Sequence, residues 1–496
     1  MRIKPLIQSL GITNIASNLE DFEVKGLSCN SKAVKDGFVF VAIKGAREDG
    51  NKFIDEAIAK GAKAVVVKSP LGCARGKPVT SHKSQFKVPF IRVKDARRAL
   101  AKLAVEFYGN PTAKIKVVGV TGTNGKTTIT YLIEALLKEA GFQPAVIGTI
   151  NYRFKDRIIP SKNTTPGPLE LQSMFCDMLK EGIDYAVMEV SSHALDQERT
   201  AGINFHSAIF TNLTQDHLDY HKTLENYFRA KAKLFKDISP DSFIVINEDD
   251  KYARRLKKLR KQRIITYGID NRVRVTARNI KFDHLYTQFQ LVSSQVKENF
   301  KTRLIGRHNV YNILAAIAWA QEEGIDFSVI KSSLEGFSLV PGRLERVDFE
   351  GDFSVIVDYA HTEDALRNII TTLRQVACKR IIVVFGCGGE RDRAKRPKMG
   401  RTVTELADYA VITSDNPRSE DPLDIIKDIK RGIRKTNFCV IPERREAIKK
   451  ALSLAKTGDT VLLAGKGHEN YQIIKDKMLH FDDREVAREC LRSMIY

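Results

Sequence analysis

Val117-Val118-Gly119-Val120-Thr121-Gly122-Thr123-Asn124-Gly125-Lys126-Thr127-Thr128 is a short β-branched run that ends in a glycine-rich turn and opens an amphipathic run through Leu137. The pattern predicts a strand, a loop and a helix, with the loop N–H groups and the helix N-terminus aimed at one spot. Such a nest binds phosphate, a lysine there adds charge for the β- and γ-phosphates, and the Thr127 hydroxyl suits Mg²⁺. The common nucleotide loop reads G-x-x-x-x-G-K-[ST]. Here Val120 occupies its first glycine, and the glycines run G-x-x-G-x-x-G-K-T from Gly119. The expectation is a variant ATP-binding loop comprising Gly122, Thr123, Asn124, Gly125, Lys126, Thr127 and Thr128.

Working outward, a chain of 496 residues has room for three domains. Its 43% apolar and 28% charged residues are those of a soluble globular protein. No apolar run reaches the ~18–20 residues of a membrane span, so no membrane partner is expected. Met1–Ile7 has too short an apolar core for a signal peptide. Seven scattered cysteines with no C-x-x-C pair argue against both a disulfide framework and a zinc site. A cytoplasmic location follows. The net charge of +21 raises the question of nucleic acid, but the densest basic run, Arg254–Lys261, carries Leu256 and Leu259 at helical spacing and reads as a solvated helix face. No nucleic-acid partner is expected; a positive field equally suits anionic nucleotide substrates.

Three blocks follow along the chain. Residues 1–110 hold strand-like runs at Phe38–Ala42 and Ala64–Val67 and a basic, loop-like stretch from Lys68 to Lys87. Residues 111–341 begin with the phosphate loop and continue with strands at Ala145–Thr149, Tyr185–Val190 and Ser207–Thr211. Residues 342–496 alternate again, with strands at Ser354–Asp358, Arg380–Phe385, Tyr409–Ser414 and Thr460–Ala464, and Val340-Pro341-Gly342 reads as the hinge. The expected fold is α/β in three domains: a small N-terminal α/β domain, a central phosphate-loop ATPase-like parallel sheet, and a C-terminal Rossmann-like sheet. Ligands of such sheets sit at strand C-terminal ends.

Polar clusters stand at those ends. Glu189 closes a strand, with Ser191, Ser192 and His193 beyond it, and a carboxylate there can hold Mg²⁺ directly or through water. Thr211–Asp219 follows another strand and includes His217, which alone reads as a structural histidine. Lys231, in the helical run Tyr227–Phe235, alone reads as a solvated lysine.

Gly122-Thr123-Asn124-Gly125-Lys126-Thr127-Thr128, Met188-Glu189-Val190-Ser191-Ser192-His193-Ala194, Asp216-His217-Leu218-Asp219 and Ala230-Lys231-Ala232-Lys233-Leu234-Phe235 resemble, in order, the motifs of the Mur ligases, ATP-dependent amino-acid ligases of peptidoglycan synthesis. The resemblance continues through Gly306–Asn312, Val340–Arg346, Asp358–Thr362, Phe385–Asp392, Gly465–Glu469 and Phe481–Val486. It covers nearly the whole chain and is strongest to members that extend UDP-N-acetylmuramoyl-L-alanyl-D-glutamate.

The resemblance implies roles. Gly122 through Thr128 would cradle ATP, with Thr127 on one Mg²⁺ and Glu189 near it. Lys231 matches a lysine the family carries as a carbamate, which with His217 would hold a second Mg²⁺; carbamylation makes an amine into an oxygen ligand for a hard cation. Asn309, Arg343 and Asp358 match contacts to adenine, γ-phosphate and ribose made from the third domain. Asn163, Thr164, Thr165, Ser191, Gln197 and Arg199 match contacts to the muramoyl peptide, and Ser31 a contact to uridine. Asp415-Asn416-Pro417-Arg418 matches the signature for meso-diaminopimelate, with Arg391, Gly465 and Glu469 as further contacts. That amino acid has a distal centre bearing carboxylate and ammonium; Arg418 can fork onto the first while Asn416 and an acid take the second. The implied partners are UDP-N-acetylmuramoyl-dipeptide and meso-diaminopimelate, with the chain a monomer.

Some positions depart from the family pattern. Cys29-Asn30-Ser31-Lys32 replaces Asp-Ser-Arg, Ala46-Arg47-Glu48 is atypical at a neighbouring nucleotide contact, and Glu390, His308 and Glu363 stand for aspartate, phenylalanine and proline. The competing readings are an L-lysine-adding member, a folylpolyglutamate synthetase-like ligase, and a basic phosphate-loop ATPase driven by nucleic acid, which predicts steep salt dependence.

Overall fold

The computed structural model describes residues 1–12, 19–45, 48–69, 88–259, 263–283, 286–376 and 379–495. Most of the basic stretch Lys68–Lys87, Ala46 and Arg47, and the end of the Arg254–Lys261 run lie outside the described residues. Ala253–Lys257 forms a helix that buries Ala253 and Leu256 and leaves its basic side chains outward.

Among the described residues three large sheets and one two-stranded sheet, Tyr471–Ile474 with Lys477–His480, carry the chain. Gly26–Ser28, Phe38–Val41, Ala62–Lys68 and Phe90–Val93 pair in that order, all parallel. The second sheet has eleven strands with Lys116–Thr121 near its middle, flanked by Tyr185–Glu189 and Phe205–Phe210. The third is ordered Glu345–Arg346, Ser354–Asp358, Thr460–Ala464, Ile381–Phe385, Tyr409–Ile412, Phe438–Val440. The central sheet is not parallel throughout. Its seven-residue arm Thr287–Ser293 and neighbour Lys297–Thr302 pair antiparallel at one edge, and Asn151–Phe154 and Arg157–Pro160 do so at the other. Those strands carry exposed polar positions, as antiparallel strands with one wet face do, whereas Lys116–Thr121 is buried beyond its first residue.

The phosphate-loop helix Lys126–Glu139 shows why the centre is rigid. Ile129, Leu132, Ile133, Leu136 and Leu137 recur at the helical period and are all fully buried. They pack with the alanine-rich helix Arg307–Glu323, whose Trp319 donates its indole N–H to Ser207 Oγ at 2.9 Å. Each buried aliphatic side chain contributes about 1.5–3 kcal/mol, and Trp319→Ala would cost about 3–5 kcal/mol. The first sheet rests on the second through helices Ala96–Phe107 and Pro168–Lys180. At the hinge, Gly342 has φ of 68°, and a Cβ there would lie 2.1 Å from His468 N, so only glycine fits against the Gly467–His468 backbone. Among the described residues no helix is long and apolar enough to cross a membrane.

Candidate active site

The strand Lys116–Thr121 is where the direction of sheet winding reverses, and the loop after it opens into a cavity of about 730 Å³ between the central and third domains. Gly125 caps the helix with φ of 88°, and a Cβ on it would stand 2.4 Å from Asn312 Oδ1. A Cβ on Gly122 would stand 1.8 Å from Thr211 Oγ1. These two positions require glycine, which is why the motif survives its altered spacing.

Two lysines converge on the loop. Lys126 Nζ donates to the carbonyls of Gly122 and Thr123 at 3.0 and 2.9 Å. Lys231, 1% exposed, donates to the same Gly122 carbonyl at 2.6 Å and lies over the Tyr227 ring. Burial, reinforced by the Lys126 charge, drives the Lys231 amine well below its ordinary range. Lys231 therefore sits behind the loop and does not line the cavity, whereas Lys126 does.

Across the loop, Glu189 is 1% exposed and accepts the Thr127 hydroxyl at 3.0 Å and the Thr149 N–H at 2.8 Å. Arg343 crosses from the third domain and donates to Thr127 Oγ1 at 3.3 Å, while its buried Nε has no partner among the described residues. The unpaired guanidinium N–H and the Thr127–Glu189 oxygen pair suit an anion and a hard cation respectively. Among the described residues no group of three or more His, Cys, Asp or Glu side chains gathers as a metal cage.

His217 has a left-handed φ of 55°. Burial depresses its imidazole to about 3 against the opposing pull of Asp216, whose Oδ2 stands 3.4 Å from Nε2, so the ring is neutral. Asp216 itself is a junction: Lys395 Nζ of the third domain stands 3.6 Å away and His361 Nε2 4.0 Å away. Burial alone would raise the Asp216 carboxyl, but Lys395, His217 and His361 hold it well below the carboxylate range. Asp364 of the third domain accepts from the Asn124 side chain at 2.8 Å, and Lys398 bonds Gln215. Asp364 and Lys395 had no local sequence signal, because contacts between domains leave no period or spacing behind.

The third domain supplies Asp358, whose carboxylate accepts the N–H groups of Leu344 and Ala360 at 2.7 and 2.8 Å. Asn309, expected from that domain, instead stands in the first turn of the central-domain helix Arg307–Glu323, where its amide donates to Ile305 O at 2.9 Å. The reason is the hinge: the chain leaves the central domain only at Val340–Gly342, after this helix has packed on its sheet. Asn309, Arg343 and Asp358 nevertheless line one cavity.

Asp415–Arg418 lies at the far end of the same cavity, in which Arg418 and Arg391 are both lining residues. Asn416 Nδ2 donates to Glu469 Oε2 at 2.8 Å. Lys466, fully buried, reaches Asn416 Oδ1 at 3.3 Å and Glu469 Oε2 at 3.4 Å. Asp415 Oδ1 is buried without a hydrogen-bond donor among the described residues. Burial and the Asp415 charge raise the Glu469 carboxyl. A Cβ on Gly465 would lie 3.2 Å from Asp415 Oδ2. Beneath the pocket the fully buried Arg444, paired with the buried Asp483 carboxylate, donates to Ala464 O and Ser414 O, the last residues before Gly465 and Asp415. That accounts structurally for the Phe481–Val486 motif. Pro417 shapes the turn without lining the cavity.

Asn163, Thr164 and Ser191 line the cavity; Thr165, Gln197 and Arg199 stand behind them. Arg199 donates to Thr165 O at 2.9 Å and to Gln197 Oε1 at 2.7 Å, and Thr165 accepts the Ser191 N–H at 3.0 Å. None of the described lining residues comes from the first domain. Ser31 lies there apart, its hydroxyl donating to Glu56 at 2.8 Å.

The chain matches three family profiles: "Mur ligase family, catalytic domain" over residues 23–108, "Mur ligase middle domain" over 120–320, and "Mur ligase, glutamate ligase domain" over 342–467. It is 45% identical, over 100% of both chains, to the UDP-N-acetylmuramoyl-L-alanyl-D-glutamate--2,6-diaminopimelate ligase of Clostridium tetani. A solved structure of a ligase of that name aligns over 98% of this chain and 99% of its own, with 33% identity and a TM-score of 0.68. The MurF ligase of Thermotoga maritima, solved with ADP, shares the fold at 23% identity and a TM-score of 0.62, over 96% of this chain and 98% of its own. The chain belongs to the Mur ligase family.

Proposed function

We propose that this chain is an ATP-dependent carboxylate–amine ligase that joins meso-diaminopimelate to the D-glutamate of UDP-N-acetylmuramoyl-L-alanyl-D-glutamate in cell-wall peptidoglycan synthesis, forming ADP and phosphate. The observation that carries it is a single cavity with a phosphate loop at one end and two arginines beside two acidic side chains at the other. Full-length relatives bearing that activity in their names support it.

In this reading Gly122–Thr128 cradles the phosphates of ATP, and an incoming phosphate oxygen replaces the loop carbonyls as partner of Lys126. Arg343 brings its unpaired N–H to the γ-phosphate; Asn309 and Asp358 hold adenine and ribose. The D-glutamate carboxylate attacks the γ-phosphate to give an acyl phosphate and ADP; the amine then attacks the acyl carbon and phosphate leaves. Lys126 and Arg343 offset the crowding of anion against anion. Thr127 and Glu189 suit one Mg²⁺, His217 and a carbamylated Lys231 a second, and these ions would supply further charge neutralisation and orientation. The depressed Lys231 amine fits this role, since carbamylation needs the free base.

Asn163, Thr164, Thr165, Ser191, Gln197 and Arg199 hold the muramoyl peptide, and Ser31 the uridine. Arg391 and Arg418 receive the distal carboxylate; Asn416, Asp415 and Glu469 receive the ammonium, with Gly465 and Pro417 shaping the pocket. Residues 1–110, 111–341 and 342–496 are then the domains for nucleotide-sugar, ATP and amino acid, in a cytoplasmic monomer. The test offers the muramoyl-dipeptide with meso-diaminopimelate, L-lysine or DNA in parallel and measures phosphate release. Release with diaminopimelate alone is expected. Preference for lysine would refute the specificity, and indifference to any amino acid would refute the ligase.

A further inference from the structure

Arg418 is held in a conformation its side chain disfavours. Its φ is 54°, a region that costs a non-glycine residue about 1–2 kcal/mol. The holding contacts come from the hairpin Tyr471–Ile474 and Lys477–His480. Arg418 N–H donates to Ile473 O at 3.0 Å, and Lys475 N–H donates to Arg418 O at 2.7 Å. Asn416 Oδ1 accepts the Ile473 N–H at 3.0 Å. Gln472, 9% exposed, donates its amide to Asp415 O at 2.7 Å. One strand thus fixes three of the residues that face the amino-acid end of the cavity.

The hairpin adds little core. Its outer strand is exposed along its length, with Met478 67% and Leu479 47% exposed. Its opening residue, Tyr471, lines the cavity. The amide of Gln472 is neutral and spends its donor on a backbone oxygen, so it adds no charge beside the Asp415 carboxylate, whose Oδ1 stands 3.9 Å from Lys466 Nζ. Without that donor the Asp415 carbonyl is left unpaired, and the loop relaxes from under Arg418, whose own guanidinium rests on Gly389 O at 2.7 Å.

We propose that the strand Tyr471–Ile474 is a template for the Asp415–Arg418 loop, and that Gln472 is a positioning residue setting affinity and selectivity for an amino acid with a second carboxylate–ammonium centre. This rests on the proposed ligase reading. Misplacement of a binding group by about 1 Å is enough to cost up to about a hundredfold, and the hydrogen bonds of this hairpin to the loop go to Asp415, Asn416 and Arg418.

The full-length enzyme is assayed with the muramoyl-dipeptide, comparing Gln472→Met, which removes the donor at similar size, Gln472→Asn, which keeps an amide on a shorter stem, and Met478→Ser on the exposed face. Gln472→Met should raise the diaminopimelate KM by about tenfold, lower the preference for diaminopimelate over lysine, and leave the KM for ATP unchanged. Gln472→Asn should fall between it and wild type, and Met478→Ser should match wild type. KM does not depend on the fraction of active enzyme, so partial misfolding cannot imitate this split. A wild-type enzyme that uses diaminopimelate, with its KM unmoved in Gln472→Met or moved together with that for ATP, overturns the inference alone. A wild type indifferent to diaminopimelate overturns the ligase reading and this inference with it.

Discussion

The two ends of the cavity are built in opposite ways. At the phosphate loop the backbone does the shaping: two obligatory glycines, a helix N-terminus, and a lysine whose donors are spent on its own loop carbonyls. At the amino-acid end side chains do it: Arg391, Arg418, Asp415 and Glu469, with an acceptor left without a donor and a buried Lys466 beneath. The first arrangement suits any nucleotide. The second suits one class of ligand, because arginines and acids placed together demand both charges in return. Damage to the first should therefore appear in turnover, and damage to the second in the KM of one substrate.

Lys126→Ala breaks the loop end most severely. Turnover should fall by at least about 10²–10³-fold in phosphate release under saturating substrates, and an active variant would remove Lys126 from the chemistry. Lys231→Ala should be nearly as damaging, with partial rescue by added short carboxylates; a variant that no carboxylate restores would leave the carbamate unsupported. Arg418→Ala tests the other end. The diaminopimelate KM should rise by about 10–100-fold with the ATP KM unmoved, and an unmoved diaminopimelate KM would take Arg418 out of the pocket.

Between the ends, Asp216→Asn weakens the tie to Lys395 and His361. A rise of at least about tenfold in the ATP KM is expected, because Asp216 and Lys395 are both buried and removing one partner strands the other's charge; an ATP KM equal to wild type would show that other contacts close the domains. The remaining effect is on stability. His217 and His468 are depressed by burial to about 3 and His361 to about 4, all from 6.5. As pH falls below 6.5 the unfolded chain takes up these protons first, so stability is full above that pH and declines toward about pH 3. The unfolding temperature should drop progressively across that window, and a flat profile would mean these rings are not held neutral.

Much of this was legible before any coordinates. The Val117–Thr128 run announces its own strand, loop and helix, and the fully buried Ile129, Leu132, Ile133, Leu136 and Leu137 lie on the face its period foretells. The motifs that carry the family resemblance fall along nearly the whole chain, and relatives match it from end to end. The misjudged features are non-local. The antiparallel arms of the central sheet follow from pairings that no single segment reveals. Asn309 belongs to the central domain because its helix packs there, a matter of tertiary contact. Asp364, Lys395 and Gln472 act through partners 57 or more residues away in sequence, beyond the reach of spacing.

The most direct measurement supplies meso-diaminopimelate and L-lysine together, in equal amounts, with ATP and the muramoyl-dipeptide, and reads the product by mass. A nucleotide tripeptide carrying diaminopimelate is the predicted product. A tripeptide carrying lysine, or ATP hydrolysis with no new amide, would contradict the account.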